Sequence, residues 1–140
     1  MIPEPPTTPG PDSARAAEPV VATDTELHLT DTELHLTVST PRPGVTVLRV
    51  AGEVDLVTVP QLRAAVGKQL DAPLLVLDLS ELGFLGSVGL EVLVDARDQL
   101  AARGGALRLV TGGAVVRRPL ELTGLTRLLA CYATLVAALE

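Results

Sequence analysis

Residues 74–90, LLVLDLSELGFLGSVGL, decide the fold. Their first four residues, 74–77, are all apolar, which is typical of a short strand buried on both faces of a sheet. From Asp78 onward the sequence becomes more polar, which predicts the end of the strand, and the glycines that follow give the backbone the freedom of a loop. A helical period starts at Ser87, with apolar residues recurring along one side. The stretch therefore predicts a buried strand, a glycine-bearing loop, and a helix that exposes its N-terminal N–H groups beside a serine.

The flanking segments continue the alternation of strands and helices. Apolar runs predict further strands at residues 33–39, 45–50, 107–110 and 129–132. The first two are separated by a proline and glycine turn and should form an antiparallel hairpin. Each later strand is followed by a helical pattern. The chain is therefore predicted to have an α/β fold, in which a mixed, mostly parallel sheet is entered by a β-hairpin and covered by about four helices.

Several residues predict where the helices begin and end. Thr58 and Gln61 have the spacing of a capping box. Gly104 should end the central helix, and Thr134 should cap the last one. Pro119 must lie near the start of its helix or break it, because proline has no N–H to donate.

The N-terminal segment has a different composition. Residues 1–23 contain six of the eleven prolines. We expect residues 1–30 to be a disordered, Pro-rich, acidic tail and residues 31–140 to be the folded domain, because the tail cannot bury enough apolar surface to offset its ordering entropy.

A heptapeptide, DTELHLT, occurs twice in tandem, at residues 24–30 and 31–37. The second copy is expected to form the first strand, which leaves the first copy spare. The alternative, a metal site built on His28 and His35, lacks a nearby cysteine or third histidine to complete it.

Charge and composition narrow the possible functions. The net charge is −6, and residues 1–37 carry seven acids and one base, whereas residues 38–140 carry ten of each. Phe84 and Tyr132 are the only aromatic residues. A nucleic-acid binder usually needs a basic face or stacking rings, so we expect no nucleic-acid partner. The single cysteine, Cys131, suits a reducing compartment. With no signal peptide and no long apolar run, we expect a cytoplasmic protein that has no membrane partner.

The motifs do not predict an enzyme. Gly86-Ser87-Val88-Gly89 invites comparison with a nucleophile elbow, but Leu85 replaces its first glycine and both histidines precede the serine. The glycine pairs match neither dinucleotide-binding nor phosphate-loop patterns. We therefore expect no catalytic residue, no metal and no cofactor.

Two blocks of sequence resemble a known family. The run VLDLSELGFLGSVGL and the later RRPLELTGL at residues 117–125 are similar to the STAS domain of bacterial anti-sigma factor antagonists, in particular actinobacterial regulators of sigma-F type. The resemblance spans residues 33–140. It implies the STAS fold, a serine-kinase anti-sigma factor as the partner and, indirectly, a sigma factor.

Ser87 is the residue on which the resemblance bears most. From the residues alone it is the N-cap of a helix over residues 88–103. Many family members read D-S-[ST]-G-L and are phosphorylated directly before the glycine, which is Val88 here, without a hydroxyl. Ser87 is the only hydroxyl-bearing residue in residues 83–89. The resemblance therefore implies either phosphorylation at Ser87 or no phosphorylation at all.

Other residues are expected at the partner surface. Residues 52–55, GEVD, resemble the family's G-E-[IL]-D segment, although Asp55 could simply precede a helix. Glu91, Asp95 and Asp98 share one side of the central helix, as either a solvated face or a contact for a basic partner. The predicted partner-binding residues are Glu53, Asp55, Gly86, Ser87, Val88, Gly89, Glu91 and Asp95.

Two functions follow as hypotheses. In the first, the domain binds a serine-kinase anti-sigma factor, releases a sigma factor, and is switched off by phosphorylation at Ser87. In the second, it is a non-phosphorylated STAS scaffold subunit of a larger signalling assembly, because Val88 occupies the usual acceptor position.

Overall fold

The structure, a computed structural model, describes residues 33–140. The expected tail, residues 1–30, and the first copy of the heptapeptide lie outside the described residues.

Residues 33–140 form five strands, four α-helices and a 3₁₀ turn. In chain order they are β1 (His35–Arg42), β2 (Val45–Val54), α1 (Val59–Gly67), β3 (Leu74–Leu85), α2 (Ser87–Ala102), β4 (Ala106–Val110), α3 (Ala114–Leu122), the 3₁₀ turn (Leu125–Arg127), β5 (Ala130–Tyr132) and α4 (Leu135–Leu139). The strands lie side by side in the order β1-β2-β3-β4-β5. The β1–β2 pair is antiparallel and the other three pairs are parallel. The predicted mixed sheet, entered by a hairpin, is confirmed.

The two faces of the sheet carry different cores. Leu75 and Leu77 of β3 belong to the larger apolar cluster, together with buried residues of α1, α2 and α3. Val76, which points the other way, belongs to a smaller cluster with Ala138 of α4. Because successive side chains of a strand alternate between faces, three helices cover one face and α4 covers part of the other.

Strand β3 is longer than its apolar run predicted. It continues through Asp78 and Ser80 to Leu85, so the predicted loop shrinks to Gly86. Asp78 faces away from the larger core but is only 4% exposed. Its carboxylate accepts hydrogen bonds from the Arg49 Nε of β2 (3.3 Å), the Ser80 N–H (3.1 Å) and the Ser80 hydroxyl (2.6 Å). These partners satisfy the carboxylate, so the strand does not have to end there.

Two predicted helix ends are confirmed. Gly104 follows α2 with φ of +81°, and the N–H groups of Gly104 and Gly105 donate to the carbonyls of Ala101 (3.0 Å) and Leu100 (2.8 Å). This is a Schellman ending, which favours glycine because of the positive φ. The Thr134 hydroxyl accepts from the Ala137 N–H at the start of α4 (3.2 Å).

Two predictions about helices were wrong. Gln61 does not complete a capping box with Thr58, because its side-chain oxygen accepts from the Leu34 N–H instead (2.8 Å). Pro119 lies inside α3 without ending it. Proline removes only one helical hydrogen bond there, to the carbonyl four residues earlier, and the burial of Val116 and Leu120 holds the helix against the sheet.

Cys131 in β5 is half-buried, and its thiol donates to the Leu129 carbonyl (3.4 Å). Burial raises the pKa of this thiol by disfavouring the thiolate. Near neutral pH we therefore expect iodoacetamide to alkylate the folded protein more slowly than the urea-unfolded chain, with the folded rate rising as the pH increases. Mass spectrometry of timed aliquots measures both rates, and equal rates would contradict this expectation.

Candidate functional site

Strands β2, β3, β4 and β5 run parallel and end at one edge of the sheet, and most of the predicted site residues lie there. Strand β2 leads into a turn at Asp55, β3 leads through Gly86 into α2, and β4 leads into Gly112 and Gly113 before α3. The carboxyl ends of neighbouring parallel strands share an edge, which brings segments distant in sequence together. We call this edge, with the residues that follow β2 and β3, the docking edge.

Ser87 is exposed and is the first residue of α2. The N-cap is Gly86, in an extended conformation, so the prediction that Ser87 caps the helix was wrong by one residue. The Gly86 carbonyl accepts from the N–H groups of Gly89 (3.0 Å) and Leu90 (3.2 Å). Ser87 therefore belongs to the first turn of α2, whose N–H groups have no acceptor within the helix.

The start of α2 is held close to the two central strands. The Gly86 N–H donates to the Val54 carbonyl of β2 (2.9 Å). Gly89 is buried, and a Cβ there would lie 2.6 Å from Leu85 Cδ1 and 2.7 Å from Val54 Cγ1. Gly89 was predicted to bind a partner, but it has little surface to offer. Its observed role is to let the helix sit tightly on the strands, while its neighbour Val88 is half-buried.

We expect Gly89→Ala to lower the free energy of unfolding by about 1–2 kcal/mol, because overpacking of this contact outweighs the gain in helix propensity from alanine. Urea unfolding followed by circular dichroism measures the change. Gly67→Ala in α1 is the matched control, since a Cβ there meets nothing within 4 Å. A stable Gly89→Ala variant would show that the contact relaxes easily.

Asp55 holds the turn after β2. Its Oδ1 accepts from the N–H groups of Val57 (2.9 Å) and Thr58 (3.0 Å). The Thr58 hydroxyl accepts from the Asp55 N–H (3.0 Å) and donates to the Glu53 carbonyl (2.6 Å). The half-buried Asp55 carboxylate thus organises its own turn, whereas Glu53 is exposed and free to meet another molecule.

The role of Asp55 can be separated from its charge. Asp55→Ala should lower the free energy of unfolding by about 1 kcal/mol, because the turn loses its acceptor. Asp55→Asn should keep most of the stability, since the amide oxygen accepts the same bonds. Urea unfolding distinguishes the two variants, and equal losses would mean that the carboxylate charge matters more than its hydrogen bonds.

Three exposed apolar residues belong to this edge and were missed as site residues. Leu56 and Val57, in the Asp55 turn, are 77% and 64% exposed, and Phe84, near the end of β3, is 51% exposed. Phe84 pairs with Glu53 across the β2–β3 ladder, and its ring lies 3.2 Å from where a Gly86 Cβ would be. Clustered exposed apolar side chains are typical of a surface that binds another protein. The available sequence signal was a pair of apolar residues, Leu56 and Val57, between the GEVD segment and the expected start of the next helix at Thr58.

A groove of about 490 Å³ runs from Ser87 along α2. Glu91 and Asp95 make it acidic, and Asp95 also pairs with Arg63 of α1 (3.2 Å). Asp98, the third residue of the predicted acidic stripe, pairs with Arg97 instead (3.1 Å). The residues lining the groove are Ser87, Leu90, Glu91, Val94, Asp95, Thr123 and Leu125.

Within residues 33–140 the His, Cys, Asp and Glu side chains form no group that could hold a metal ion. His28, the first histidine of the repeat, lies outside the described residues. No helix in the described part of the chain is long and apolar enough to cross a bilayer.

The fold and the sequence define the class of protein. The family model of the STAS domain matches residues 38–138, and the chain belongs to this family.

Three similar proteins are described as anti-sigma factor antagonists. The Mycobacterium tuberculosis anti-sigma-F factor antagonist RsfB is 41% identical over 98 residues, which are 69% of this chain and 80% of RsfB. A crystal structure of an anti-sigma factor antagonist from Mycobacterium paratuberculosis superposes with a TM-score of 0.72 at 40% identity, over 77% of this chain and 92% of that one. Unphosphorylated SpoIIAA shares the fold, with a TM-score of 0.63 at 22% identity, over 75% of this chain and 93% of that one.

Proposed function

We propose that this chain is an anti-sigma factor antagonist that binds a serine-kinase anti-sigma factor through the docking edge and so releases a sigma factor. The observation that carries the proposal is the exposed Ser87 at the start of α2, beside exposed apolar side chains, in a chain 41% identical to an anti-sigma-F factor antagonist. In this role the chain is a kinase substrate and not a catalyst, and it works in the cytoplasm, where sigma factors act.

The surface offers two kinds of contact to such a partner. Leu56, Val57 and Phe84 supply apolar area that gains free energy when it leaves water. Glu53 at the strand edge and Glu91 in the groove supply negative charge that favours a basic partner surface and guides its orientation. The apolar residues then contribute most of the affinity, and the carboxylates contribute specificity.

Phosphorylation of Ser87 would change the charge of this surface without unfolding it. A phosphate at the first position of a helix is stabilised by the free N–H groups and the helix dipole. It adds about −1.5 to −2 charges. Glu91 lies one helical turn away, so the phosphate would make an already acidic groove more so. A partner that binds the unmodified surface, with its moderate negative charge and its exposed apolar residues, is then released.

The proposal is tested by incubating the full chain with the kinase-type anti-sigma factors of its own genome and ATP, then locating phosphate by mass spectrometry. We expect one kinase to modify Ser87 and to leave Ser87→Ala unmodified. Phosphate on another residue would show that Ser87 is not the residue that the kinase modifies.

A non-phosphorylated scaffold subunit is the second candidate, favoured by one observation: Val88 occupies the family's usual acceptor position. Size-exclusion chromatography with light scattering separates the two. A monomer or small dimer that binds the anti-sigma factor supports the switch. A large homogeneous particle, together with no phosphate on Ser87, supports the scaffold.

A further inference from the structure

The second block of sequence that resembles the family, residues 117–125, ends helix α3 and contains an exposed leucine. Val116 and Leu120 are buried and hold α3 against the sheet. Leu122, the last residue of the helix, is 76% exposed and belongs to neither apolar cluster. It lies two residues after Leu120, a rotation of about 200° around the helix, so its side chain points away from the core. The packing of residues 33–140 therefore gives no reason for a leucine here.

The backbone around Leu122 is fixed by the residues that follow it. The Thr123 hydroxyl donates to the Pro119 carbonyl (2.7 Å). Gly124 comes next with φ of +76°, in the left-handed conformation in which helices commonly end. Leu125 then packs against the larger core cluster. The chain thus holds an apolar side chain in water at a defined place, so little conformational freedom is lost when another molecule covers it.

The end of α3 forms one wall of the acidic groove that begins at Ser87. Thr123 and Leu125 line this groove together with Ser87 and Glu91 of α2. Leu122 directly precedes Thr123 and is exposed, so it lies at the rim of the groove. Within residues 33–140 Glu91 makes no ion pair, and its charge is therefore available to a basic side chain of another molecule.

Ser87 lies between this wall and the apolar part of the docking edge. Gly89 packs against Val54, the residue that precedes the Asp55 turn. Ser87 comes two residues before Gly89 and therefore lies on the opposite side of α2, toward the groove. Exposed apolar side chains are thus present on both sides of Ser87, namely Leu56, Val57 and Phe84 on the strand side and Leu122 on the groove side.

We propose that Leu122 is a second apolar contact for the anti-sigma factor, which spans the groove from Phe84 to Leu122 and covers Ser87. This inference rests on the proposed function and gives Ser87 a central place in the interface. The partner supplies an apolar pocket for Leu122 and a basic side chain for Glu91, in agreement with the charge of the groove. A charge at the centre of an interface loses its water, whereas a charge at the rim stays hydrated, so this placement increases the effect of a single phosphate on Ser87.

The first test is the affinity of Leu122→Ala, in the full chain, for the anti-sigma factor that binds the wild type, measured by isothermal titration calorimetry. We expect a loss of about 10-fold, because the variant removes apolar area that the complex buries. The urea unfolding midpoint should not change, since the side chain is exposed in the free domain. Val136→Ala is the control, because this exposed valine lies on α4, over the other face of the sheet, and should bind like the wild type. An unchanged affinity for Leu122→Ala overturns the inference.

Ser87→Glu in the same titration separates this inference from the proposed function. If Ser87→Glu loses binding while Leu122→Ala keeps the wild-type affinity, the proposed function stands and the second contact is refuted. If the wild-type chain binds none of the kinase-type anti-sigma factors, both are refuted.

The second test measures the contact directly. In a Cys131→Ser background, Leu122→Cys and Val136→Cys are each alkylated with iodoacetamide, alone and with saturating anti-sigma factor, and mass spectrometry follows each site. We expect the partner to slow alkylation at position 122 by about 10-fold and to leave position 136 unchanged, because the core of an interface excludes solvent. Equal rates at position 122 with and without the partner would overturn the inference. So would protection that needs no partner and grows with the concentration of the chain, since Leu122 would then contact a second copy.

Discussion

Ser87→Glu is expected to weaken binding of the cognate anti-sigma factor by roughly 100-fold, whereas Ser87→Ala keeps the wild-type affinity. A misplaced negative charge in an interface costs several kcal/mol, and about 3 kcal/mol corresponds to this factor. The folded state should not suffer, because a negative side chain in the first turn of a helix is favourable. The substitution therefore separates binding from stability.

Isothermal titration calorimetry measures the affinity, and thermal unfolding of the same samples checks the fold. Thr40→Glu is the matched control, because it adds the same charge to an exposed residue of β1 at the opposite end of the sheet. Its affinity should equal that of the wild type. If Ser87→Glu and Ser87→Ala bind equally well, Ser87 has no part in the switch.

Phe84→Ala carries the second largest expected effect, a loss of affinity of about 10- to 100-fold. Aromatic side chains that become buried in an interface often dominate its binding energy. Phe84 is half exposed in the free protein and lies beside Gly86, one residue from Ser87. Since the ring contributes little to the core, the free energy of unfolding should change by less than about 1 kcal/mol.

Surface plasmon resonance against the immobilised anti-sigma factor measures this loss. Val136→Ala is the control, because Val136 is a similarly exposed apolar residue on α4, which covers the other face of the sheet. The expected pattern is loss of binding for Phe84→Ala alone. If Phe84→Ala binds with wild-type affinity, the main apolar contact with the partner does not lie at Phe84.

The order of strands and helices could be predicted from the sequence, but the lengths of the central strands could not. Apolar runs mark where β2 and β3 begin. Both strands then continue through polar residues and glycines, which a local pattern interprets as loop. Asp78 remains in its strand because Arg49 supplies a partner from a neighbouring strand, 29 residues earlier. A prediction made from a short window of consecutive residues cannot detect a hydrogen-bond partner this far away in the sequence.

The candidate site was predictable to a different degree for each residue. Ser87 was found from its position before a helical period and from the family resemblance, although its place relative to the helix N-cap was wrong by one residue. Gly89 was assigned to the partner surface from the family resemblance. Its packing against Val54 and Leu85 could not be predicted, because it depends on the distance between a helix and two strands. Phe84 was missed because the exposure of an apolar residue depends on the fold and cannot be inferred from the residues next to it in the sequence.

The single-residue connection at Gly86 has a consequence for how the domain binds a partner. Strand β3, whose first half is buried on both faces, leads through one residue into α2, so no long loop precedes Ser87. A visiting molecule meets a preformed shape and loses little affinity to immobilising it. A phosphate on Ser87 adds negative charge to this preformed surface, and the part of its effect that comes from this charge should weaken as the ionic strength rises.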